Sequence, residues 1–274
     1  MTTPSLCFIG GGNMARSLIG GLIADGWPAD RIRVSDVDTE ALARLGQRFG
    51  VAIGTDNTEA AAAADILVLA VKPQVMHAVA SDLASAGMTR GRLVISIAAG
   101  IRSSDLDRWL GGDNAIVRCM PNTPALVQSG ATALFANARV GSEQRDQAES
   151  ILRAVGLTLW LDDEQQMDAV TALSGSGPAY FLLVMEALQA AGERLGLPAD
   201  TARLLTLQTA FGAAKMALES AEDAGTLRRQ VTSPGGTTER AIQVMEEGRL
   251  RELLERALSA ARDRSRELAD QLGH

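Results

Sequence analysis

The stretch "CFIGGGNMARSLIGGLIADG", residues 7–26, decides how the chain is read. A short apolar run ends in three glycines and passes directly into a helical pattern. Gly10, Gly12 and Ala15 form a G-x-G-x-x-A spacing at a strand-to-helix junction. In a dinucleotide-binding βαβ unit the first glycine makes the turn and the second lets backbone N–H groups approach a pyrophosphate. The third small residue lets helix and strand pack closely. Asn13, Met14 and Ala15 open the helix, whose unpaired N–H groups and positive dipole end suit an anion. A tight structural turn is the plainer alternative. The strand before, the helix after, and a second strand ending near residue 36 favour the phosphate reading.

Asp36 closes that second strand. A carboxylate there accepts hydrogen bonds from the ribose hydroxyls of NAD and repels the 2′-phosphate of NADP. It can also serve simply as an aspartate that opens the next helix.

Outward from the loop, the first 162 residues alternate short aliphatic runs with helical stretches. Strands are expected at 5–9, 31–35, 51–53, 65–71, 93–98, 115–120, 132–136 and 157–161, with helices such as 13–25 and 39–49 between the early ones. That alternation implies βαβ crossovers and a mostly parallel sheet covered by helices on both faces. The last strands follow shorter connections and are expected to extend the sheet edge. From residue 163 the pattern turns helical, over 168–173, 179–197, 199–220, 239–248 and 249–272. In the last of these an apolar stripe runs through Leu250, Leu253, Leu254, Ala257, Leu258, Ala261, Leu268 and Leu272. The fold class expected is therefore an α/β dinucleotide-binding domain (1–162) followed by an all-α domain (163–274) whose small-residue helices suit packing between subunits.

Composition narrows the function. The chain of 274 residues is 46% hydrophobic and 22% charged, as in a globular protein with a sizeable core. A net charge of −7 argues against nucleic acid or an anionic membrane as partner. The arginines from Arg249 to Arg266 are interleaved with Glu252, Glu255 and Asp263, as on a solvated helix face. Cys7 and Cys119 sit in apolar runs and read as reduced, buried thiols. With His77 and His274 the only histidines, no metal centre is expected. The longest apolar run is too short to span a bilayer, so a cytoplasmic protein is expected.

Five further stretches occur in order: "AVKPQ" (70–74), "AAGI" (98–101), "RCMPNTPALVQSGATAL" (118–134), "LSGSGPAYF" (173–181) and "SPGGTTERA" (233–241). Together they resemble the pyrroline-5-carboxylate reductases, and the resemblance covers essentially the whole chain. It implies an N-terminal Rossmann domain and a C-terminal helical dimerisation domain, with homodimers often assembled into a homodecamer. It also implies hydride transfer from NADPH or NADH to the C=N bond of 1-pyrroline-5-carboxylate, giving L-proline in the last step of its biosynthesis. By the same match Asn57 lies near the adenosine ribose and Thr238 supplies the hydroxyl that holds the imine nitrogen.

The residues support these roles on their own terms. "AVKP" follows an apolar strand, so Ala70, Val71, Lys72 and Pro73 stand at the carboxyl end of the sheet, where ligands of such folds bind. Ala98 and Asn122 occupy equivalent strand ends. Lys72 reads as catalytic or as a surface lysine beside the cofactor, and Asn122 as an orienting amide or an Asx turn. Pro178 is expected in the first turn of a long helix capped by Ser176 or Gly177, giving a second anion site for substrate. Ser233, Gly235, Gly236, Thr237 and Thr238 form another glycine-rich helix start that suits a small carboxylate; Thr237 and Thr238 compete for the capping and catalytic roles. Two rivals remain. A β-hydroxyacid dehydrogenase would place a lysine early in the long helix of the second domain, where residues 177–197 have none. A non-catalytic dinucleotide sensor would need no second polar pocket.

Overall fold

The computed structural model describes residues 3–273, so His274 lies outside the described residues. Eight strands appear in chain order: β1 (Leu6–Ile9), β2 (Ile32–Ser35), β3 (Ala52–Gly54), β4 (Ile66–Leu69), β5 (Leu93–Ser96), β6 (Ala115–Met120), β7 (Gly130–Ala136) and β8 (Gly156–Trp160). They form one sheet of order β3-β2-β1-β4-β5-β6-β7-β8. Helices α1 (Asn13–Ala24), α2 (Thr39–Phe49), α3 (Asn57–Ala62), α4 (Pro73–Ser85) and α5 (Ser103–Trp109) make the early crossovers. Pairing is parallel from β3 through β6, antiparallel between β6 and β7, and parallel again between β7 and β8. A single 3₁₀ turn (Thr123–Val127) joins β6 to β7, too little chain for a parallel crossover. The twelve-residue α6 (Ser142–Arg153) then restores one before β8.

Strand alternation divides the core. Leu6 and Phe8 of β1 join Leu18, Ile19, Val34 and Leu45 in one buried cluster. Cys7 and Ile9 face the other way, into a cluster with Leu67, Leu69, Met76 and Leu83. Helices therefore cover both faces, as the unbroken apolar strands required. Burial also raises the thiol of Cys7 to about 12 and pushes that of Cys119 up further.

Beyond β8 the chain is helical: α7 (Met167–Val170), α8 (Gly177–Arg194), α9 (Ala199–Glu219), α10 (Ala224–Gln230), α11 (Thr237–Glu247) and α12 (Leu250–Leu272). The sequence reading had no α10. Contacts divide the chain into two compact units, residues 177–260 and the remainder, so the packing boundary falls later than the expected 162/163 and the end of α12 returns to the sheet unit. In that returning segment the buried positions are Ser265 and Ala269, while Leu250, Leu253, Leu254 and Leu268 of the apolar stripe stay exposed. Ser265 donates to Asp168 at 2.7 Å and Arg102 pairs with Asp270 at 2.5 Å. No helix among the described residues is long and apolar enough to cross a membrane.

Candidate active site

The glycine loop has the geometry its spacing implies. Gly10 adopts φ +104° and its N–H donates to the Ser35 carbonyl at 2.7 Å. A Cβ there would stand 2.7 Å from the carbonyl carbon and oxygen of Ala70, so only glycine fits against the end of β4. Gly12 is the N-cap of α1 and would meet nothing within 4 Å if it carried a Cβ. The open space in front of it is the cradle a pyrophosphate needs. The N–H groups of Asn13, Met14 and Ala15 find no acceptor among the described residues, since the first helical bond runs from Arg16 to Gly12. Ala15 is buried against the sheet. A dinucleotide therefore fits these residues, with its pyrophosphate at the mouth of α1.

Gly11, the unassigned middle position, also has a reason to be glycine. A Cβ would lie 3.0 Å from Leu45 Cδ1 and 3.5 Å from Asp36 Oδ2. Its N–H donates to Asp36 Oδ2 at 2.5 Å, while Asp36 Oδ1 accepts from the Asp38 N–H at 2.9 Å. Asp36 thus stands beside the loop as expected, but it also ties the loop to the start of α2. The G-x-G-x-x-A pattern leaves that middle residue unspecified, so no local signal reported the tie. Asp38, not Asp36, caps α2 by accepting from the Ala41 N–H at 2.9 Å. Asn57 opens α3 and accepts from the buried Ser35 hydroxyl at 2.7 Å.

The residues expected beside the nicotinamide lie at or just beyond strand ends. Lys72 is the N-cap of α4 with Pro73 at its first position; its ammonium is exposed and makes no ion pair among the described residues. Ala70 and Val71 are half-buried, and Ala98 is buried after β5. Asn122 is fully engaged: Oδ1 accepts from the Ala131 N–H at 2.9 Å, and Nδ2 donates to the Ser174 carbonyl and hydroxyl at 3.3 and 3.2 Å. Pro178 has no N–H to offer that carbonyl, which explains why it accepts a side chain. Asn122 is therefore a bracket that ties its loop to Ala131 and Ser174.

The helix start expected at Ser176 and Gly177 does not form. The chain is already helical from Met167, and a π-turn (Thr171–Gly175) leads straight into α8. The Ser176 N–H is consumed by the Thr171 carbonyl at 2.8 Å, so no open helix mouth lies there. Pro178 is the second residue of α8, in the first turn of a long helix as expected, but the π-turn before it makes that start continuous with the preceding helical chain. Ser176 keeps a half-exposed hydroxyl, and Gly177 is buried.

The second glycine-rich start does form. Ser233 to Gly236 make a turn with Pro234 second and Gly235 third at φ +72°, closed by the Gly236 N–H to the Ser233 carbonyl at 3.0 Å. Gly236 is the N-cap of α11, so neither threonine caps it. Glu239 accepts from the Gly235 N–H at 2.7 Å, holding the turn against the helix. The N–H groups of Thr237, Thr238 and Glu239 have no acceptor among the described residues, and both threonines are exposed.

A node absent from the sequence reading anchors the start of the helical segment. Glu164 accepts from Ser103 N–H at 2.7 Å, Ser103 Oγ at 2.6 Å and the buried Arg118 guanidinium at 2.9 Å. Glu164 sits in an ordinary polar stretch, and its partners are distant in sequence.

Comparison with known proteins now decides the family. A pyrroline-5-carboxylate reductase of Pseudomonas aeruginosa is 55% identical over 273 residues, covering 100% of both chains. The chain belongs to the pyrroline-5-carboxylate reductase family. The family's dimerisation model matches residues 164–268, and a model described as NADP oxidoreductase, coenzyme F420-dependent, matches residues 5–100. Among solved structures, a pyrroline-5-carboxylate reductase from Coxiella burnetii superposes with a TM-score of 0.93 at 50% identity, covering 97% of this chain and 99% of that one. Plasmodium falciparum pyrroline carboxylate reductase, solved with NADP bound, gives 0.87 at 29% identity, covering 98% of this chain and 99% of that one. The sheet unit is thus the reductase family's Rossmann-like, NADP-binding half. The family's dimerisation model begins at 164, near the expected domain boundary, although contacts group residues up to 176 with the sheet.

Proposed function

We infer that this chain reduces 1-pyrroline-5-carboxylate to L-proline with NADPH or NADH. The observation that carries the reading is 55% identity to a pyrroline-5-carboxylate reductase along the entire chain. The glycine loop, free of side chains where a pyrophosphate must lie, supports it.

When bound, the dihydronicotinamide supplies the hydride that adds to C5 of the C=N bond. The protein's own contribution is positioning. The N–H groups of Asn13, Met14 and Ala15 hold the pyrophosphate, with Asp36 and Asn57 toward the adenosine ribose. The Ala70–Pro73 backbone, Ala98 and the Asn122 loop flank the nicotinamide. The free N–H groups at the start of α11, with Ser233, Gly235, Gly236 and Thr237, take the substrate carboxylate. Ser176 and Gly177 are further substrate-binding positions, Ser176 through its hydroxyl rather than through a helix mouth. Thr238 is the catalytic hydroxyl. A hydroxyl donates to a neutral imine and accepts from a protonated one, so it orients the ring in either form. It also stabilises the charge that changes at nitrogen as the bond becomes a secondary amine.

The functional form proposed is a homodimer, with a homodecamer beyond it. Phe181, Leu204, Phe211 and Leu218 are 69%, 62%, 62% and 84% exposed, a density of bare apolar surface that a second copy would cover. Light scattering should find at least twice 28.8 kDa; a monomer at micromolar concentration refutes this form. The two unpaired, buried cysteines suit the cytoplasm we propose as its compartment. The test of function is a steady-state assay with pyrroline-5-carboxylate and each cofactor. Absence of substrate-dependent cofactor oxidation overturns the assignment.

A further inference from the structure

We propose that Asn122 is a positioning residue of the substrate site: its side-chain amide holds the π-turn before α8, and with it the Ser176 hydroxyl, at a fixed distance from the loop after β6. The proposal rests on the reductase reading above, in which that loop flanks the nicotinamide and Ser176 meets the substrate. It adds the residue that sets the spacing between them.

In a helix each carbonyl is met by the N–H four residues on. Residue 178 is proline, so the Ser174 carbonyl lacks that donor. The π-turn does not repair the loss, because its wide bond, from the Ser176 N–H at 2.8 Å, goes to the Thr171 carbonyl. The donor comes instead from 52 positions away: Asn122 Nδ2 lies 3.3 Å from the Ser174 carbonyl and 3.2 Å from its hydroxyl. An N–H on one side and a carbonyl on the other fix which way the amide points.

Asn122 is itself held. Its Oδ1 accepts from the Ala131 N–H at 2.9 Å, and its carbonyl accepts from the Ala125 N–H at 3.1 Å. The turn and the strand end also approach closely, since a Cβ on Gly175 would run into Met120 Cε at the end of β6. Ser176 stands two residues past Ser174 in helical conformation, φ −86° and ψ −19°, so displacing the Ser174 carbonyl carries Ser176 with it. Hydride transfer is sensitive to such shifts, and a misplacement of about 1 Å costs about a hundredfold in rate.

Asn122→Asp is the decisive variant. A carboxylate of the same shape still accepts from the Ala131 N–H, but it sets oxygen against oxygen at Ser174. With pyrroline-5-carboxylate and NADPH, kcat should fall about ten- to a hundredfold and substrate KM should rise. NADPH titrated without substrate should bind within about twofold of the parent, because its pyrophosphate is held at the mouth of α1. Asn122→Ala should behave alike. Adding Pro178→Ala to it returns a backbone N–H four residues after Ser174 and should raise kcat at least about threefold. Parental kcat and KM in folded Asn122→Asp, whatever its Tm, would overturn the proposal. So would cofactor affinity that falls in step with kcat, or a double variant no faster than Asn122→Ala. Should Asn122→Asp fail to fold, the Asn122→Ala pair decides by the same measurements. No turnover by the parent would overturn the reductase reading itself, and this proposal with it.

Discussion

Gly10 and Gly12 are two residues apart, yet the structure assigns them different work, and substitution should separate the two. Alanine at Gly10 must adopt φ +104°, at a cost of about 1–2 kcal/mol for an L-residue. Its Cβ would also stand 2.7 Å from backbone atoms of Ala70, which cannot rotate aside, adding about 1–3 kcal/mol of strain. The sum is roughly 2–5 kcal/mol. For a chain of 274 residues the unfolding entropy is about 0.6 kcal/mol per kelvin, so Gly10→Ala should lower Tm by roughly 3–8 °C. Gly12 has φ −67° and ψ −174°, open to any residue, and its Cβ would touch nothing within 4 Å. Gly12→Ala should therefore stay within about 0.5 kcal/mol of the parent. Its methyl group projects where the pyrophosphate must approach, forfeiting at least one N–H bond to a charged oxygen, about 1.5–3 kcal/mol. Cofactor affinity should fall roughly ten- to a hundredfold, and further for Gly12→Val. Scanning fluorimetry without ligand and calorimetric titration with NADPH read the two effects independently. A folded Gly12→Val variant with parental affinity would reduce the loop to a turn, and an unshifted Tm in Gly10→Ala would refute the packing argument.

Thr238→Ala should lower kcat about ten- to a hundredfold through loss of one hydrogen bond worth about 1.5–3 kcal/mol, while Thr238→Ser keeps most activity. Because Gly236 is the cap of α11, Tm should not move; a loss of stability with normal kcat would make Thr238 structural. Glu164→Ala strands the Arg118 guanidinium, whose side chain is only 7% exposed, and should destabilise by about 3 kcal/mol, a Tm drop of roughly 5 °C. Parental Tm would show that water replaces the carboxylate freely. With burial raising both thiols, Cys7 to about 12, the native protein should hold them protonated at pH 8 and resist iodoacetamide until denatured. Modification of the folded protein at pH 8 would contradict their burial.

What the sequence determined by itself was local. All eight strands lie within about two residues of where their apolar runs placed them, most plainly β1, β4 and β5, which are buried on both faces and apolar almost throughout. Helix α2 was read within its observed bounds, although its cap is Asp38 and not the Asp36 the sequence offered; Gly50 closes it in the left-handed conformation at φ +70°. The phosphate loop was legible for the same reason, since its turn, its bare backbone and its helix mouth are consecutive residues. The α11 start needed only the Pro-Gly-Gly turn. Tertiary structure decided the rest. The antiparallel β7 and the π-turn before α8 depend on how chain ends meet across the sheet, and α10 has too few apolar positions to announce itself. The engagement of Asn122 by Ser174, of Arg118 by Glu164 and of Asp36 by Gly11 joins residues 52, 46 and 25 positions apart. Hydrogen-bonding side chains are versatile, so a polar residue's role is set by whichever partner folding brings within about 3 Å. Nothing in its sequence neighbours names that partner.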